Sequence, residues 1–193
     1  MISDEKLQEM IKKAIERVKG KTQEELYEEI KDLLPEYYQT IEDTLYHVDK
    51  FHDYIVDLLG TMKLPVFYEE LEQDSILDLK GESIKINKKY NDDILETAKC
   101  IAHEQRHYYQ LCKTQLYPND PQSIRFKEEF TNYKNVTFKD EVEKIFRYAY
   151  KEIEIDAFAF TQITIKDYYD IEIKHPDEKY QRVIELYIQK YYK

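Results

Sequence analysis

His103-Glu104-Gln105-Arg106-His107 is the segment of this chain best suited to chemistry. On a helix, residues four apart share a face, so the two imidazoles stand one turn apart with a carboxylate beside them. Two such nitrogens supply half of a tetrahedral zinc site. The glutamate is then placed to take a proton from an attacking water. Chance gives such a pentapeptide in roughly one or two of every hundred chains of this composition.

Two histidines are too few for zinc, so a third ligand has to come from elsewhere. Across residues 139–165 a helical seam runs Val142, Ile145 or Phe146, Ala149, Glu152, Asp156, Phe160 and Ile163, in steps of three and four. Two carboxylates interrupt that apolar stripe. Buried and unpartnered, each costs several kcal/mol, a cost that a metal or a hydrogen-bond partner removes. A slightly rotated helix, with Ile153, Ala157 and Phe160 inward and Glu152 toward solvent, fits the pattern as well.

The HEQRH segment, followed after 44 intervening residues by Glu152-Ile153-Glu154-Ile155-Asp156-Ala157-Phe158-Ala159, resembles the gluzincin metallopeptidases. The nearest likeness is to the ImmA/IrrE-like branch, which Ile84-Lys85-Ile86-Asn87 ahead of the motif also matches. The resemblance covers about residues 61–165. It implies that His103, His107 and Glu152 bind Zn2+, that Glu104 is the general base, and that Asp156 orients a liganding imidazole from behind. Hydrolysis at such a site also needs a donor for the oxyanion, for which Tyr148, one turn before Glu152, is the first candidate and His175 the second. Arg106 departs from the small residue common at that position, and its expected role is to pair with an acidic neighbour away from the metal.

These residues need elements to hold them. Ser3 to Lys19 and Thr22 to Leu34 read as capped helices, and Pro35 opens a longer one that Gly60 ends. Leu64–Tyr68, Ile76–Leu79 and Ile84–Asn87 read as short strands, the last two joined in a hairpin through Lys80-Gly81-Glu82. The Ile84–Asn87 strand is the expected edge for an extended substrate. The motif helix is expected over 92–113, with one or two turns near Arg125–Phe130, a long helix over 139–165 and a last one over 176–191. The fold class is therefore α+β: a mainly helical, zincin-like fold with a sheet of about three strands packed on the HExxH helix. The domain division is 1–34, a helical extension, and 35–193, the metallopeptidase domain.

Composition narrows the function. With 42% hydrophobic and 36% charged residues the chain suits a globular protein, and it has no apolar run of about 18 residues to span a membrane. The first residues lack a secretion signal, so the expected compartment is the cytoplasm. A net charge of −11 argues against direct nucleic-acid binding, which needs a basic surface. Cys100 and Cys112 lie roughly 18 Å apart on one helix, beyond disulfide reach. His47 and His52, five apart, share no metal-binding face, and the 19 tyrosines read as packing along helix flanks. The expected function is a zinc peptidase acting on a protein or peptide. The alternatives are a non-catalytic, zinc-stabilised interaction module and a metal-free helical interaction protein.

Overall fold

The computed structural model describes residues 36–133 and 151–192, with side chains for residues 45–131 and 151–192. The chain divides into two compact units between Asp43 and Thr44. Of the first, only residues 36–43 are described, and they are helical. The expected helices over 3–34 and the expected boundary at 34/35 lie outside the described residues.

The second unit is α+β and mainly helical. Helix α1 (Glu36–Leu59), whose last turns lie in this unit, leads to strands β1 (Val66–Glu69), β2 (Ser75–Asp78) and β3 (Ser83–Asn87). Helices α2 (Ile94–Leu116), α3 (Pro121–Tyr133), α4 (Glu152–Tyr169) and α5 (Glu178–Tyr191) follow. Gly60 stops α1 at φ +61, a left-handed conformation that costs glycine nothing. Among the described residues no helix is long and apolar enough to cross a membrane.

The sheet is mixed, in the order β1-β3-β2. Strand β1 runs parallel to β3 with Val66 opposite Ile84, and β2 runs antiparallel with Leu77 opposite Ile84. Asp78 shapes the β2–β3 turn by accepting from the Lys80 and Gly81 amides. This corrects the expected edge. Strand β3 is central, with partners on both sides, and its buried Ile84 and Ile86 face the core. Among the described residues, the strand on the site side with an edge left unpaired by the sheet is β2.

Helix α2 is the spine. Asp93 caps it by accepting from the Glu96 amide. Ile101 packs under the sheet with Ile84, Ile86 and Val48, while Ala98 and Ala102 let Phe51, Ile55 and Phe160 approach from the other side. Each fully buried Ile or Phe here contributes about 1.5–3 kcal/mol. His52 on α1 is buried and donates from Nε2 to Gln105 Oε1 at 3.0 Å. The Gln105 amide nitrogen in turn reaches Thr61 Oγ1 and the Met62 carbonyl. His52 is thus a satisfied core histidine, as its spacing from His47 leads one to expect.

Helix α4 does not extend back to 139 as one uninterrupted helix. Lys151 is extended, at φ −71 and ψ 142, and precedes the first helical residue. Glu129 of α3 supplies the missing cap: its two carboxylate oxygens accept from the amides of Glu152 and Ile153 at 3.0 and 2.9 Å. Residues 134–150, including Tyr148 and the first half of the expected seam, lie outside the described residues.

Candidate metal centre

Two helices build the site. Helix α2 carries His103 and His107 on one face, with Nε2 atoms 3.1 Å apart. The first turn of α4 brings Glu154, whose Oε2 stands 3.3 Å from His103 Nε2 and 3.5 Å from His107 Nε2. These are the described His, Cys, Asp and Glu side chains that converge closely enough to hold a metal ion. Ligand atoms about 2.0–2.1 Å from a tetrahedral zinc stand about 3.3 Å from one another. The three edges of this triangle match that spacing, and the donor set of two imidazoles and one carboxylate suits zinc.

A second observation bears on the fit. Glu154 Oε2 is buried and, among the described residues, its polar neighbours are the two ring nitrogens at 3.3 and 3.5 Å, neither of which makes a well-formed hydrogen bond with it. A bare buried carboxylate oxygen is costly, and a cation between the three atoms would satisfy all of them together. The electrostatics point the same way. Burial opposes a charged His107, but the Glu154 carboxylate outweighs it, with Glu104 adding, and the imidazole is pushed up to about 9. Burial likewise opposes a charged Glu154, yet the imidazoles hold its carboxyl well below the usual carboxylate range.

The expected third ligand, Glu152, is not in this cluster. Arg125 of α3 holds it in a two-pronged grip, with Nη2 donating to Oε1 at 3.0 Å and Nε to Oε2. A residue two places along a helix points to nearly the opposite side, so Glu152 and Glu154 cannot both face the imidazoles. Asp156 is buried and touches neither histidine. It accepts from Arg106 Nε at 2.7 Å and Nη2 at 3.0 Å, from Gln110 Nε2 at 2.8 Å and from the Tyr192 hydroxyl at 2.9 Å. Gln110 stands between Asp156 and His107, so Asp156 reaches the imidazole only at one remove. Arg106 takes the expected role, pairing with Asp156 and stacking on Tyr109 with its guanidinium carbon 4.5 Å from the ring centre.

Glu104 lies beside the cluster, buried, and accepts a 2.7 Å hydrogen bond from Ser75 of β2. Two clefts meet there. One, of about 540 Å³, is lined by Cys100, His103, Glu104, Glu154, Phe158 and His175. The other, of about 730 Å³, is lined by Leu77, Glu104, His107, Leu111, Phe130 and Glu154. Both are bounded by Ser75, so together they form a groove alongside β2. Sequence reasoning missed Glu154, Gln110 and Ser75. Gln110 alone carried a signal, as the polar residue three positions after His107 on the same helix.

His175 is the second oxyanion candidate and lines the smaller cleft. Its ring packs edge-on against Phe158 and Tyr180, and Nδ1 accepts from the Asp177 amide at 3.1 Å. That bond leaves the proton of the neutral ring on Nε2, as a donor. Burial lowers the His175 pKa and favours the neutral ring. No protein-family model, curated protein or solved structure matches the chain, so the chemistry of the site has to be read from its own residues.

Proposed function

We propose that this protein is a zinc-dependent peptidase of gluzincin type, with His103, His107 and Glu154 as its metal ligands. The observation that carries the reading is the triangle of two Nε2 atoms and one orphaned carboxylate oxygen, with Glu104 alongside in an open groove. A purely structural zinc site is closed by a fourth protein ligand and needs neither a groove nor a neighbouring carboxylate.

Bound there, zinc supplies a Lewis acid that acidifies water and polarises a carbonyl. The chain's own residues do the rest. An extended peptide adds to the free edge of β2, where backbone hydrogen bonds hold the scissile bond over the cluster. Ser75 fixes one oxygen of Glu104, leaving the other to take the proton of the attacking water. Glu104 then delivers that proton to the leaving amine nitrogen. His175 Nε2 is the donor to the developing oxyanion. Both cysteines are free thiols, which suits a reducing cytoplasm. The acidic surface favours a protein or peptide partner over nucleic acid.

The test is Glu104→Gln beside wild type, with bound metal measured by elemental analysis and cleavage by mass spectrometry on a peptide library. Wild type is expected to carry near-stoichiometric zinc and to cut. The variant is expected to keep the zinc and lose about 10²–10⁴-fold in rate. A wild type that binds zinc yet cuts nothing would point instead to a zinc-stabilised interaction module, and a variant that cuts as fast as wild type would remove Glu104 from the mechanism.

A further inference from the structure

Gln110 has no place in the chemistry above, yet it is fully buried on the far side of His107 with its amide completely used. Its Nε2 lies 2.9 Å from the Ile153 carbonyl oxygen and 2.8 Å from Asp156 Oδ2. Both partners are acceptors only, the carboxylate being kept ionised by the Arg106 fork. The amide NH2 must therefore face them, and both of its protons are taken. Its carbonyl oxygen is left facing His107 Nδ1 at 2.9 Å. An oxygen acceptor there requires a proton on Nδ1. The lone pair of the neutral ring is thereby directed to Nε2, the atom in the ligand triangle.

We infer that Gln110 is the positioning residue of the centre, fixing His107 as an Nε2 donor through a chain of forced hydrogen-bond polarities. The inference rests on the metal-site reading above. The order of dependence is Arg106, Asp156, Gln110, His107: a buried guanidinium at one end sets the donor atom of an imidazole at the other. The Ile153 carbonyl ties the same amide to the first turn of α4, one residue before Glu154. Gln110 therefore holds the two ligand-bearing helices in register as well as orienting one ring. Partners of this kind typically change metal affinity by about 10–100-fold.

The experiment compares zinc dissociation constants, by chelator competition, for wild type, Gln110→Leu and Gln105→Leu. Gln105 is the matched control: a buried glutamine of the same helix whose amide bonds His52, Thr61 and Met62, away from the site. Gln110→Leu is expected to weaken zinc about 10–100-fold and Gln105→Leu by no more than about threefold. Equal losses in both variants, or none in Gln110→Leu, would overturn the inference. The wild type supplies a readout that needs no variant. Long-range proton–nitrogen NMR of the zinc-loaded protein should show His107 bound through Nε2 with a slowly exchanging proton on Nδ1. Metal on Nδ1 would overturn it. A wild type that takes up no zinc would instead sink the metal-site reading itself, which separates the two failures.

Discussion

Ser75 Oγ donates to Glu104 Oε1 at 2.7 Å, tying the strand that borders the groove to the carboxylate proposed as the base. Removing the hydroxyl should free that carboxylate to rotate without disturbing the ligands. Ser75→Ala is expected to lower kcat by on the order of tenfold with zinc content unchanged. Steady-state kinetics alongside metal analysis check this. A rate equal to wild type would show that Glu104 needs no such anchor.

Glu154 and Glu152 are two residues apart with separate duties, so the same substitution should have separate effects. Glu154→Gln is expected to weaken zinc binding by at least tenfold. Glu152→Gln is expected to leave it within about threefold and to lower stability instead, since Arg125 loses its ionised partner. Isothermal titration with zinc and urea denaturation distinguish the two. The reverse pattern would restore Glu152 as the ligand.

The Arg106–Asp156 pair is almost wholly buried, at 12% and 1% side-chain exposure. Breaking a pair of that kind strands a charge and costs about 3–5 kcal/mol. Asp156→Ala is therefore expected to destabilise the zinc-free protein by that amount. Arg106→Met combined with Asp156→Leu should cost clearly less than the two single changes added together. Denaturant midpoints in the presence of chelator measure it, and simple additivity would mean that the two charges do not depend on each other.

His52 gives a pH dependence separable from the metal site. Burial holds its pKa below the ordinary 6.5, against the raising effect of the Gln105 hydrogen bond. Below pH 6.5 the unfolded chain then binds the proton that the folded chain resists. The stability this group contributes is fully present above about pH 6.5 and is lost as pH falls through the lowered folded value. His52→Gln should lose less stability than wild type between pH 7.5 and 5.5, compared as urea midpoints with chelator present. Parallel profiles would mean that His52 does not titrate in this window.

Much of this was legible in the sequence, for identifiable reasons. The HEQRH spacing dictates a shared helical face, Asp93 and Gly60 mark helix ends, and the Lys80-Gly81-Glu82 turn announces the hairpin. Glu154 was not legible. Residues Ile153 through Ala157 are all buried, so the start of α4 has no solvent side from which to set the helical phase. Helix α4 also begins only after the extended Lys151, so a seam counted forward from Val142 does not set its phase. The placement of β3 at the centre of the sheet is a tertiary outcome. Its parallel partner β1 comes from before β2 in sequence, and nothing local in Ser83–Asn87 reveals a second neighbour.

The two imidazoles are supplied by one helix, whereas Glu154 comes from 47 residues further along the chain. The hydrogen bonds within α2 are local in sequence, but Glu154 reaches the imidazoles only when α4 has docked. Until then the site offers a cation two imidazoles and the neighbouring Glu104 carboxylate of the same helix, without Glu154. On the proposed function, hydrolytic competence follows the docking of α4 and cannot precede it. If the protein is the peptidase proposed above, a copy in which α4 has not docked lacks its third ligand, and the long span between ligands delays proteolysis until the fold is assembled.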